Sequence, residues 1–118
     1  MYTIKVEGHF SSAHNLRGYK GKCESLHGHN WKVEVAVTAA GLDSCGMVMD
    51  FKTLKQELEG LLAELEHKYL NEVPYFKEVN PTSENIAGYI YVSLKKRVAG
   101  LSSVRVWESE NSSATYYE

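Results

Sequence analysis

Apolar and polar residues alternate from position 2 to position 14. Tyr2, Ile4, Val6, Phe10 and His14 share one parity, and Thr3, Lys5, Glu7, His9 and Ser11 the other. A period of two predicts a strand with one buried face. The Gly-, Lys- and Asn-bearing stretch 15–26 reads as a loop. A second alternating run covers 27–38, with Trp31, Val33, Val35 and Val37 on one side and Lys32, Glu34 and Thr38 on the other. Beyond the turn-rich stretch 41–46 the period changes. Asp50 stands as an N-cap before Phe51, Leu54, Leu58, Leu61, Leu62 and Leu65, a helical stripe ending near Glu66-His67. At about 1.5 Å per residue this helix is roughly 24 Å long. Past Pro74 and Pro81, Thr82-Ser83-Glu84 opens a second helix through Ile86, Tyr89, Ile90, Leu94 and Val98, closed by Gly100. Two short strands follow, Val104 to Ser109 and Ala114 to Tyr117, joined by a polar turn at Glu110-Asn111-Ser112. The order β-β-α-α-β-β predicts an α+β fold in which an antiparallel sheet carries two helices on one face, as a single domain over 1–118.

Composition narrows the function. A chain of 118 residues buries roughly two-thirds of its surface on folding, enough for one core without staples. Thirteen basic and fifteen acidic side chains leave a net charge of −2, which argues against a protein that grips nucleic-acid phosphates. No apolar run is long enough to span a bilayer, and the N-terminus carries charge where a secretory signal needs an apolar stretch. Two cysteines are too few for a disulfide scaffold, so Cys23 and Cys45 read as reduced thiols of a cytoplasmic protein.

The sharpest chemical signal is Cys23-Glu24-Ser25-Leu26-His27-Gly28-His29, with His14 on the preceding strand. His27 and His29 are two apart, so an extended backbone projects both rings to one face. In an antiparallel hairpin, His14 opposes His27 or His29; either register puts all three rings on one side, provided no bulge intervenes. Three converging imidazoles suit a catalytic zinc with an open fourth position. The alternative is three separate histidines, each satisfied by its own hydrogen bond. Cys23 lies in the loop beside this site, where a nearby cation would favour its thiolate; the alternative is a loop cysteine without a role. Glu108 shares parity with Val104 and Val106, which points its carboxylate toward the core side. Either a protein cation answers it or a ligand with an amidine-like edge does, such as a pterin or guanine ring. His67, at the predicted helix end, reads first as a capping residue, Asp50 and Thr82-Ser83 as helix starts, and His9 as exposed.

These segments together resemble the 6-pyruvoyltetrahydropterin synthase family, in particular its bacterial 6-carboxytetrahydropterin synthase branch. The residues concerned are Phe10 to His14, the C-x-x-x-H-G-H of Cys23 to His29, Met49-Asp50-Phe51, Glu66 to Asn71, Asn80 to Asn85 and Val106-Trp107-Glu108. The resemblance implies a T-fold whose sheets join as trimers into a barrel, two trimers stacking as a hexamer with active sites between subunits. It implies that His14, His27 and His29 bind Zn²⁺, and that Cys23 is the acid/base thiol, assisted by His67 and Glu66. It also implies that Glu108 holds a pterin ring, with Thr82 and Ser83 lining its pocket. Glu66 stands where the family pattern usually has Asp. The implied substrate is 7,8-dihydroneopterin triphosphate, and the implied product 6-carboxy-5,6,7,8-tetrahydropterin, on the route to queuosine and other 7-deazapurines. Arg17, Lys20 and Lys22 are candidates to meet the triphosphate. The alternatives are a 6-pyruvoyltetrahydropterin synthase on the same substrate and a zinc- or pterin-binding module without turnover.

Overall fold

The computed structural model describes residues 1–20 and 24–118. Among these residues the regular elements are β1 (Tyr2–His14), β2 (His27–Ala39), α1 (Phe51–Leu62), α2 (Ser83–Lys95), β3 (Leu101–Ser109) and β4 (Ser112–Tyr116). Two short 3-10 turns, Leu70–Glu72 and Pro74–Lys77, lie between the helices. The strands form one antiparallel sheet in the order β1-β2-β3-β4.

The β1–β2 ladder runs without a shift, from Tyr2 opposite Ala39 to His14 opposite His27. Even positions of β1 and odd positions of β2 therefore share a face. That face buries Val6, Phe10, Trp31, Val33, Val35 and Val37, and Val104 and Val106 continue it on β3. Leu54, Leu58 and Leu62 of α1 and Ile86, Ile90 and Leu94 of α2 belong to the same core. Each such side chain contributes about 1.5–3 kcal/mol on burial. The other face is polar. Lys5 meets Glu34 and Lys32 meets Glu7, each at 3.5 Å, and Trp107 lies under Lys32 and Arg105.

The helix starts follow the sequence. The Asp50 side chain accepts from Lys52 N–H, and the Thr82 hydroxyl accepts from Asn85 N–H. The helix ends do not. The apolar stripe predicts α1 to Glu66-His67, yet it stops at Leu62, about 18 Å from its start. Beyond it the chain tightens into i→i+3 turns and pairs with the end of β1. The Ser12 hydroxyl donates to Leu65 C=O, His67 N–H donates to Ser11 C=O at 2.7 Å, and Ala13 N–H donates to Lys68 C=O at 2.9 Å. Leu65 is still fully buried, so the spacing of leucines could not reveal the change of backbone.

Likewise α2 ends at Lys95 rather than at Gly100. The third strand starts at Leu101 rather than Val104, because a register shift at Ala36/Val37 breaks the alternation there. The last turn is shorter than predicted: Ser109 pairs with Ser112, leaving Glu110-Asn111 as the connection.

Gly100 turns the chain from the end of α2 into β3 with φ +79°, and a Cβ there would meet Thr38 C=O at 2.9 Å. Its own carbonyl accepts from Thr38 N–H at 2.9 Å, so the backbone cannot easily back away. Gly100→Ala is expected to lower unfolding free energy by about 1–3 kcal/mol, read from the denaturant midpoint at constant slope. A midpoint equal to wild type would show that the junction relaxes.

Candidate metal centre

His14 ends β1 and His27 opens β2, directly opposite one another; His29 faces Ser12 on the same ladder. The unbroken register brings the three rings together, with centroids 4.7 Å (His14–His27), 5.1 Å (His14–His29) and 4.8 Å (His27–His29) apart. Trp31, two residues past His29 on the same face, lies edge-on to His14 at 4.9 Å and His29 at 5.1 Å. It is fully buried, and its Nε1–H donates to Ser12 C=O at 3.2 Å, which fixes the wall against which both rings rest.

Backbone carbonyls set two tautomers. His14 Nδ1 is 2.7 Å from Pro81 C=O, and His27 Nδ1 is 2.8 Å from Ser25 C=O. A carbonyl only accepts, so each Nδ1 carries the proton and each neutral ring presents an Nε2 lone pair. Such outer hydrogen bonds orient imidazoles at metal sites and raise their basicity. The Glu108 carboxylate completes the cluster. One donor atom from each of His14, His27, His29 and Glu108 lies within 4.8 Å of the others.

This donor set fits a divalent cation. The Nε2 atoms of His14 and His29 are buried without a hydrogen-bond partner, a costly state that a bound cation would relieve. His29 is easier to deprotonate than an ordinary histidine, chiefly because burial disfavours its charge; His14 and His27 add to this, while Glu108 and Glu24 oppose it. A ligand to a metal must be neutral imidazole, so that bias favours coordination.

A model of the 6-pyruvoyl tetrahydropterin synthase family matches residues 3–118. The chain belongs to that family. It is 41% identical to the 6-carboxy-5,6,7,8-tetrahydropterin synthase of Synechocystis sp., across 99% of this chain and 94% of the relative. It is 40% identical to the human 6-pyruvoyl tetrahydrobiopterin synthase, across 90% of this chain and 77% of the relative. The solved 6-pyruvoyl tetrahydropterin synthase of Caenorhabditis elegans superimposes with a TM-score of 0.87 at 29% identity, covering 99% of this chain and 95% of that one. The fold is therefore the T-fold of this family.

The other residues singled out from the sequence of this synthase-family chain lie in several places. Cys23 and Lys22 lie outside the described residues. The flanks of their loop are pinned: Asn15 and Asn71 bond reciprocally, Asn80 and Arg17 do the same, and Asn15 Nδ2 donates to Glu24 C=O at 3.0 Å. The Arg17 guanidinium donates to the carbonyls of Phe76 and Val79, a structural use of the group considered for the triphosphate. Thr82 caps α2 and Ser83 is its first residue, and the neighbouring Pro81 carbonyl is the one that holds His14. That contact ties the start of α2 to the centre.

His67 is not at a helix end, since α1 stops at Leu62. It is 82% exposed at φ +54°, with Nε2 3.0 Å from Glu66 Oε1. Glu66 in turn accepts from Ser11 N–H at 3.2 Å, so this pair stands beside β1 and outside the four-donor group. Cys45 is exposed in its turn, and no helix among the described residues is long and apolar enough to cross a membrane. Sequence reasoning missed Trp31 and the carbonyls of Pro81 and Ser25. The parity of Trp31 was readable, but an aromatic on a buried face signals core; backbone carbonyls leave no side-chain signal.

Proposed function

We propose that this chain is a zinc-dependent lyase acting on 7,8-dihydroneopterin triphosphate. With water, the substrate gives 6-carboxy-5,6,7,8-tetrahydropterin, triphosphate and acetaldehyde. The product would serve queuosine and other 7-deazapurine synthesis. The observation that carries the reading is the cluster of three imidazoles on one face, two of them with their tautomers fixed by Pro81 and Ser25, in a member of this family.

His14, His27 and His29 would hold the Zn²⁺. When bound, it would supply Lewis-acid polarisation of the substrate's side-chain hydroxyls. Cys23 would take and return protons at the side-chain carbons, with His67 and Glu66 assisting. Glu108 would accept from the N–H edge of the pterin as a bidentate carboxylate, and Thr82 and Ser83 would line that pocket. Trp31 and the Pro81 carbonyl hold His14 so that its Nε2 stays aimed at the centre. Among the described residues the sheet's outer strands are β4 and, apart from its end at Ser11–Ala13, an unpaired β1, and closing these edges against further copies would give a barrel of homo-oligomers with active sites between subunits. In such an assembly Glu66 and His67, beside β1, would serve a site shared with the adjoining copy.

A second reading keeps the substrate and changes the product. The human relative, at 40% identity, is a 6-pyruvoyl tetrahydrobiopterin synthase. The three-residue spacer between Cys23 and His27 is typical of the carboxy branch and favours the first reading. The purified chain, assayed for metal, is to be incubated with 7,8-dihydroneopterin triphosphate, and the pterin identified by mass with acetaldehyde measured in parallel. The expected result is the carboxy product, stoichiometric acetaldehyde and about one zinc per chain. A pyruvoyl product without aldehyde would move the assignment to the second reading. Tight pterin binding without turnover would make the chain a binding module.

A further inference from the structure

Two side chains, rather than a strand, continue the outer edge of β1 past its end. Ser11 C=O accepts from His67 N–H and Ala13 N–H donates to Lys68 C=O, with Ala13 bridged in parallel to Tyr69. One residue later the backbone leaves this ladder for the 3-10 turn Leu70–Glu72. The next rung is a side chain. Asn15 N–H donates to Asn71 Oδ1 at 3.0 Å, and Asn71 Nδ2 donates to Asn15 C=O at 2.8 Å. Two positions on, Arg17 N–H donates to Asn80 Oδ1 and Asn80 Nδ2 donates to Arg17 C=O, each at 2.9 Å. Each carboxamide presents one acceptor and one donor, as the peptide groups of a ladder residue do. Leu16 faces the opposite way and is met by Glu24. Glu24 N–H donates to Leu16 C=O at 2.8 Å, and Glu24 Oε1 accepts from Leu16 N–H at 3.3 Å. Every backbone N–H and C=O of 15–17 therefore has a partner, although the β1–β2 ladder has already ended at His14 and His27.

We infer that Asn71 and Asn80 are positioning residues of the metal centre: by holding 15–17 they keep the His14 ring on Pro81 C=O, with its Nε2 aimed at the centre. The inference rests on reading the three histidines as metal ligands. His14 is the last residue of β1 paired with β2, so without these rungs the chain end that carries it would be free to fray. Asn80 acts most directly, because Pro81 follows it. The segments 14–17 and 80–81 meet through the Asn80 amide on the Arg17 backbone, and again through Pro81 C=O on His14 Nδ1 at 2.7 Å. A pair of contacts fixes an angle where a single one would leave a hinge. The far side is braced as well. Asn80 C=O accepts from Thr82 N–H and from Asn85 Nδ2, each at 2.9 Å, which ties it to the first turn of α2. Asn71 is 6% exposed, so removing its amide would strip Asn15 N–H and C=O of partners at a buried position. A carboxamide does here what a further strand could not. It supplies a single rung and lets its own chain turn away, so the end of the hairpin stays open to a substrate.

The test uses the whole chain, metal-free and loaded with Zn²⁺ or Co²⁺. In Asn80→Ala, zinc affinity measured against a chelator is expected to fall by ~10–100-fold, the cost of disturbing an outer partner of a metal ligand. The visible spectrum of the Co²⁺-loaded chain is expected to change with it, and Asn71→Ala to act in the same direction. Gly100→Ala strains the opposite end of β2, beside Thr38, and serves as a destabilised control that keeps wild-type affinity. In the metal-free chain, at a pH where imidazoles are neutral, nitrogen NMR is expected to find the His14 proton on Nδ1 in wild type. In Asn80→Ala it is expected to be shared between the two ring nitrogens. Hydrogen exchange needs no variant: the amides of Asn15 and Arg17 in wild type are expected to be protected as that of Ala13 is. Rapid exchange at both would overturn the rungs, even if the variants misfold. An affinity loss no larger than that of Gly100→Ala would overturn the role of the asparagine substituted, and an unchanged His14 tautomer in Asn80→Ala that of Asn80. A wild-type chain that takes up no metal would instead bring down the three-histidine reading, and the role with it, whatever the exchange shows.

Discussion

His14→Ala and His27→Ala are both expected to abolish metal binding and turnover, but only His14→Ala should weaken the metal-free fold. Each substitution removes one of three imidazoles, so affinity should fall by more than the ~10–100-fold typical of losing an outer partner. If the ion supplies ~4 kcal/mol of transition-state stabilisation, turnover falls about a thousandfold. The two sites differ in their surroundings. His14 is 2% exposed, packed against Trp31, and its Nδ1–H satisfies Pro81 C=O. Removing it leaves that carbonyl without its donor and opens a cavity, together about 2–4 kcal/mol. His27 is 37% exposed and, among the described residues, is held by Ser25 C=O two residues away and by Glu24 at 3.8 Å, both local contacts, so its loss should change metal-free stability by ~0.5 kcal/mol or less.

Thermal unfolding with and without chelator separates these effects. Zinc at a thousand times its dissociation constant stabilises the wild type by about 4 kcal/mol, and neither variant should show that increment. Acid should act on the wild type in the same direction as the chelator. Metal ligation needs neutral rings, so affinity falls as pH drops. In the metal-free chain the lowered pKa of His29 adds a smaller effect of the same sign. The fold keeps that contribution above the ordinary histidine value of 6.5 and loses it as pH falls through the lowered one. Equal metal content in wild type and His14→Ala would contradict the assignment outright.

The centre was legible in the sequence to the extent that it depends on parity. A constant index sum across one hairpin suffices to put His14, His27 and His29 on a common face, and the β1–β2 ladder has no bulge to spoil it. Glu108 was legible only halfway. Parity turns it toward the core, but the contact with His14 and His29 depends on how β3 docks onto β2 and on a bulge at Glu108 itself, neither encoded locally. The hold of Pro81 C=O on His14 spans 67 positions and involves no side chain at one end. The end of α1 was lost for a related reason. Its leucine period continues to Leu65, whereas the backbone is captured by Ser11, Ser12 and Ala13 of β1. Long-range pairing overrides local propensity at both places.

Cys23→Ala is expected to keep metal and stability while losing turnover by about 10²–10⁴-fold, the usual contribution of one positioned acid or base. The residue lies outside the described part of the structure, so the expectation comes from its place in the C-x-x-x-H-G-H segment and from its fixed neighbour. Glu24 N–H donates to Leu16 C=O at 2.8 Å, and Glu24 C=O accepts from Asn15. Three residues further on, His27 enters the centre. If the thiol and a metal share one site as proposed, they would divide the work: the ion would polarise hydroxyls, and the sulfur would shuttle a proton at carbon. Loss of the thiol should therefore spare zinc content, the cobalt spectrum and the chelator-dependent melting step, all of which His27→Ala removes. It should also erase the limb of the pH–rate profile set by thiol ionisation, and Cys23→Ser, with a far weaker acid, should not restore it. Full activity in Cys23→Ala, with its metal in place, would assign the proton transfer to another group and leave the exposed His67–Glu66 pair as the next one to substitute.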